Sequence, residues 1–192
     1  MPTQHPWDKV ADALISGLIE GSSWATIAEI MFSGRNTSGP ILLERTGPFM
    51  PPITFPNVSH IVVSDHFKQM FEVSGFQGAT FRPVIKSHIV ELDWPSWDWS
   101  AKHPPNLPPS KKAEDYIRNR PHSPEMAELL GTIWEVKLRN VEFTKRTKSD
   151  WFRLKANPAS VISQRLKDWL EMHFSTWVKI EVPSFFGTTI DL

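Results

Sequence analysis

The chain has 192 residues, 40% hydrophobic and 22% charged, a composition that supports a folded core. Lys plus Arg equals Asp plus Glu at 21 each, so overall charge gives no reason to expect a nucleic-acid or membrane partner. With no cysteine, the chain excludes disulfides, thiolate zinc sites and a cysteine nucleophile.

The start Met1-Pro2-Thr3-Gln4-His5 lacks the basic-then-apolar order of an export signal. No run of about eighteen apolar residues occurs. Both observations lead to the expectation of a cytosolic protein without a membrane span. Charge is uneven along the chain. Residues 1–99 hold six Lys/Arg against ten Asp/Glu, and residues 100–192 hold fifteen against eleven.

Trp7 to Glu20 carries Val10, Leu14 and Leu18 at helical spacing and predicts a first helix, stopped by Gly21-Ser22-Ser23. Trp24 to Phe32 reads as a short helix or strand, Gly34 to Gly39 as a polar loop and Ile41 to Arg45 as a strand. Four prolines between Gly47 and Pro56 predict an extended connection.

His60 to Val63 is a short apolar strand, and Ser64 is placed to cap the helix that follows. Phe67, Met70 and Phe71 share one face of that helix, which ends near Gly75; Gly78 then turns the chain into a strand over Ala79 to Leu92. Pro83 within this strand predicts an edge or a bulge. Asp93 to Ser110 is irregular. Ser123-Pro124-Glu125-Met126 starts a helix, with Ser as the cap and Pro in the first helical position, and Gly131 ends it. Thr132 to Arg139 alternates as a half-buried strand, Trp151 to Lys155 is another, and Ser184 to Leu192 reads as a short final strand.

Ninety-nine residues after the first strand and capped helix, the pattern returns. Val62, Ser64, Lys68 and Glu72 meet Val161, Ser163, Lys167 and Glu171, while Phe67, Met70, Phe71 and Phe81 meet Leu166, Trp169, Leu170 and Ile180. The sequence thus predicts a strand–helix–strand unit used twice, at 60–84 and 160–183. The fold class expected is α+β, with helices on a mainly antiparallel sheet, in one domain over residues 1–192 with sub-halves 1–99 and 100–192.

Candidate chemistry is sparse. His60, His66 and His88 converge only if the first unit folds as described, and no histidine pair has metal-site spacing, so neither metal nor cofactor is expected. No Gly-x-Ser-x-Gly elbow or phosphate-cradling glycine loop is present. The basic residues Lys137, Arg139, Lys145, Arg146, Lys148, Arg153 and Lys155 could meet phosphate or an acidic protein, but such runs are more often solvated surface.

The stretch Glu91, Asp93, Trp94, Trp97, Asp98 and Trp99 is the candidate partner-binding site. Tryptophans set among charges and a proline suit a binding hot spot, and equally suit a loop pinned to the body of the protein. The enzyme alternative is a small hydrolase using Glu91, Asp93 or Asp98 with a histidine.

Val62 to Val84, with its Val-Val-Ser-Asp-His start and Gly78-Ala79-Thr80-Phe81-Arg82-Pro83-Val84 turn, resembles a segment of bacterial polymorphic-toxin immunity proteins. These include the myxobacterial paralogous family with two Cys-x-x-Cys-Gly motifs; this chain, having no cysteine, is similar to the cysteine-free relatives. The resemblance implies a cytoplasmic protein that binds and occludes a cognate toxin. An adaptor or chaperone for a secreted effector would share that binding chemistry.

Overall fold

A computed structural model of the chain describes residues 31–35, 39–47, 50–57, 59–92, 114–142, 148–155, 157–178 and 180. The expected helix at 7–20, the irregular region 93–110 and the tail 184–192 lie outside these residues. The strands are β1 (Met31–Arg35), β2 (Ile41–Thr46), β3 (Ile53–Asn57), β4 (His60–Ser64), β5 (Ala79–Pro83), β6 (Ile85–Val90), β7 (Ile133–Val141), β8 (Trp151–Leu154) and β9 (Asn157–Ile162). The helices are α1 (Asp65–Val73), α2 (Glu114–Arg118), α3 (Pro124–Leu129) and α4 (Gln164–Phe174).

The α+β class holds, but the sheets are mixed. A three-stranded sheet runs β1-β2-β6, with β1–β2 antiparallel and β2–β6 parallel. A six-stranded sheet runs β3-β4-β7-β8-β9, with β5 antiparallel on β7 and β7–β8 parallel. The chain divides into two units, one within Met1–Met50 and Val84–Ile133, the other within Pro51–Pro83 and Trp134–Leu192.

Three local expectations need correction. Met31–Arg35 is a strand, so Gly34 belongs to a sheet rather than a loop. The proline-rich connection contains β3, which tolerates Pro56 because, among the described residues, it pairs with β4 alone and its register shifts between Thr54 and Asn57. The strand expected over Ala79–Leu92 is two strands in different sheets, β5 ending at Pro83 and β6 beginning at Ile85.

In the first unit, β2 alternates so that Ile41, Leu43 and Arg45 are fully buried. Strand β6 holds the short helices through polar side chains. Lys86 Nζ donates to the carbonyls of Ala127 and Gly131 at the C-terminal end of α3, where a cation meets exposed carbonyls. His88 Nε2 lies 3.0 Å from the Ile117 carbonyl and 2.9 Å from that of Arg120, contacts that need a proton on this nitrogen. The Ile89 N–H donates to His122 Nδ1 at 2.9 Å, which requires that nitrogen unprotonated.

In the second unit, α1 and α4 enter one core. Phe67 and Phe71 of α1 pack with Leu166, Leu170 and Phe174 of α4 around Trp151 and Val136. Ring centroids of Phe67 and Phe174 are 5.0 Å apart, and those of Phe71 and Phe81 are 5.5 Å apart. Each fully buried phenylalanine contributes about 1.5–3 kcal/mol from surface removed from water. Gly78 closes this unit from the side: at φ +100° it lies so near β8 that an added Cβ would stand 2.3 Å from the Trp151 carbonyl oxygen.

Both serine caps of the expected repeat form. Ser64 Oγ accepts from the Phe67 N–H and Ser163 Oγ from the Leu166 N–H, each at 3.2 Å. A strand followed by a serine-capped helix occurs at both places, but Val178 and Ile180, the described residues of the second returning strand, are in no strand, so a duplicated strand–helix–strand unit is not shown.

Candidate functional site

A cleft of about 580 Å³ opens in the second unit beside β9. One wall is β9 itself, with Ser160, Val161 and Ile162 in succession. Ile53 and Phe55 of β3, two residues apart and therefore on one face of that strand, also line the cleft. The start of α4 supplies Ser163, Gln164 and Lys167, and Leu170 and Trp151 reach the cleft from the core. Trp177, Val178 and Ile180 also line it, after α4 ends.

The lining is apolar with a few donors. Phe55 is 56% exposed, while Leu170 is nearly buried. The Trp151 indole N–H is satisfied by Ser160 Oγ at 2.5 Å, which fixes β9 against β8. Lys167 donates to Glu171 at 2.9 Å, one helical turn on. That hydrogen bond raises the Lys167 pKa above the usual lysine value against the opposing effect of burial, so the ammonium is charged at neutral pH.

Asp150 holds the wall of this cleft in place. Its Oδ1 accepts from Ser163 Oγ at 2.8 Å, and its Oδ2 accepts from Arg165 Nη2 at 2.8 Å and from the Gln77 N–H at 2.9 Å. The backbone adds Ser163 N–H to the Asp150 carbonyl and Asp150 N–H to the Gln77 carbonyl, both 2.8 Å. Burial pushes the Asp150 carboxyl up, but Arg165, Gln77 and Ser163 together hold it below the usual carboxylate range. An ionised carboxylate thus sits at the first turn of α4, where it complements the helix dipole.

Of the residues expected to bind a partner, Glu91 is exposed just beyond β6 in the first unit. Asp93, Trp94, Trp97, Asp98 and Trp99 lie outside the described residues. The histidines are placed separately: Asn57 Nδ2 donates to His60 Nδ1 at 3.1 Å, His66 is exposed on α1, and His88 serves the helix end described above. Among the described residues, no three of His, Asp and Glu are grouped so as to hold a metal.

Several cations of the basic stretch have partners on their own unit. Lys137 lies 3.4 Å from Glu135, Lys155 lies 2.8 Å from Glu142, and Arg153 donates to the Ser59 carbonyl at 2.7 Å. Glu135, nearly buried, also binds Arg82 at 2.5 Å. Lys145 and Arg146 lie outside the described residues.

Sequence reasoning missed the cleft. Its parts are Phe55 from a proline-rich connection, Lys167 from an ordinary helix face and Trp177 from a helix end. One signal was available: Pro56 and Pro158 both fall in strands, and proline marks sheet edges. No protein-family model, curated protein or solved structure matches this chain. Among the described residues, no helix is long and apolar enough to cross a membrane.

Proposed function

We propose that this protein acts by binding another polypeptide, as an immunity protein that neutralises a cognate toxin in the cytoplasm by covering its active site. The observation that carries this reading is the cleft beside β9, lined among the described residues by apolar side chains, hydroxyls, one amide and one lysine. Such a lining gives area and orientation to a partner; proton transfer would call for a carboxylate or imidazole at the reacting atoms. The likeness of Val62–Val84 to immunity-protein segments supports the same reading. Steric blockade needs only a complementary surface, with aromatic anchors such as the exposed Phe55.

The test is co-expression with a candidate toxin, one encoded next to the gene for this chain. Protection of the producing cell is expected, together with a stable complex of the two purified proteins. Continued killing while the folded chain is abundant would overturn the reading. So would turnover of a small ester or phosphoester that is lost in Glu91→Gln, which would establish a hydrolase. Export of a living, active partner together with the chain would identify an adaptor instead.

A further inference from the structure

We propose that the cleft captures its partner in one defined way: an extended segment of the partner polypeptide adds as a strand along the outer edge of β9. This rests on the reading of the protein as a binding protein and specifies how binding occurs.

Three consecutive residues, Ser160, Val161 and Ile162, border the cleft. Successive side chains of a strand point to opposite faces, so neighbours share a lining only where the cavity runs along the edge of the strand. Among the described residues, strand β9 ends the path of the six-stranded sheet and pairs with β8 alone (Trp151 to Ile162, Phe152 to Val161, Arg153 to Ser160), along one edge. At the other edge, alternate residues present backbone N–H and C=O groups, which an extended peptide satisfies. Pro158 has no N–H, so pairing is confined to the end of β9 nearest α4.

The remaining walls define what the segment carries. Its inward side chains meet Phe55, Leu170, Trp177 and Ile180, so they are large and apolar at every second position. Among the described residues, Lys167 is the one charged residue of the lining. Its ammonium has three donors, of which the contact with Glu171 uses one, so an acidic residue of the segment is favoured beside it and a basic one is repelled. The bound segment is therefore short, alternating and acidic.

The test uses the full chain and a fluorophore-labelled seven-residue peptide alternating Phe or Val with Thr and Asp, followed by anisotropy. Saturable binding is expected. N-methylation of the residues whose N–H groups face β9 should weaken it about tenfold, while methylation of the alternate residues should not. Phe55→Asp, at an exposed side chain, should also weaken binding about tenfold while circular dichroism stays unchanged. Lys167→Glu should shift preference toward a peptide with Lys in place of Asp.

No saturable binding, or equal loss from both methylation patterns, overturns strand addition. Binding that appears only after removal of residues 181–192 assigns the cleft to this chain's own terminal segment and also overturns it. Self-association abolished by Phe55→Asp would assign the edge to a second copy. Failure here is separable from failure of the proposed function: a toxin neutralised equally by the wild type and by Phe55→Asp leaves the immunity reading standing and removes the cleft from it.

Discussion

The two serine-capped helix starts of the second unit differ in where their negative charge comes from. Ser64 and Ser163 adopt the same backbone, φ −70° and ψ 163° against φ −71° and ψ 161°, and each accepts the third N–H beyond it at 3.2 Å. At α1 the acid is local: Asp65 occupies the first turn and accepts from Trp134 Nε1 at 2.8 Å. The first turn of α4 has no acid of its own, and Asp150, thirteen residues before the cap, supplies it through Ser163 and Arg165. One physical need, a carboxylate at the positive end of a helix, is met once by sequence and once by tertiary contact. The second solution also ties α4 to Gln77, so the wall of the cleft depends on residues far away in the chain.

The sharpest way to break the likeness of the two helices is through their shared core. Phe67→Ala and Leu166→Ala remove fully buried side chains at equivalent positions, and each should cost about 3–5 kcal/mol, read from urea midpoints of the whole chain. A loss confined to one of them would show that the helices do not support a single cooperative core.

Next in size is the charge at α4. Asp150→Asn weakens the contacts with Arg165 and Ser163 and should cost about 2 kcal/mol at neutral pH. The Asp150 carboxyl is held below its usual value in the folded chain, so near and below pH 4 the unfolded chain takes up the proton more readily and stability rises with pH. That contribution is complete above the unfolded value and is lost as pH falls through the lower folded one. The gap between wild type and Asp150→Asn should therefore narrow as unfolding is measured from pH 7 toward pH 2; a constant gap would place the effect in packing.

The smallest effect separates the caps themselves. Ser64→Ala should cost about 1 kcal/mol, as loss of a helix cap does. Ser163→Ala should cost more, because it also removes the hydroxyl that Asp150 accepts from. Equal losses in thermal unfolding would mean that Arg165 and Gln77 alone satisfy Asp150.

What was legible in the sequence follows from range. The caps at Ser64, Ser123 and Ser163 could be read because each bond closes within three residues. Phe67, Phe71, Leu166 and Leu170 could be assigned to the core because helical spacing puts them on one face. Strand β3 was hidden by prolines that only an edge position tolerates. The break between β5 and β6 was hidden because apolar residues continue on both sides of Pro83, although the two strands belong to different sheets. Asp150 looked like one acid among many bases, since Gln77 and Arg165 lie 73 and 15 residues from it.

The sequence alone determined an α+β chain, the starting residues of its principal helices and the apolar faces they bury, since these depend on side chains and backbone groups a few residues apart. Only the tertiary structure decided that the sheets are mixed, that β7 and β8 run parallel, that a distant carboxylate serves α4, and that β9 borders a cleft lined by Phe55 and Lys167. Strand pairing and the filling of an edge draw their energy from partners remote in sequence, and a strand's own residues do not specify which partner it meets.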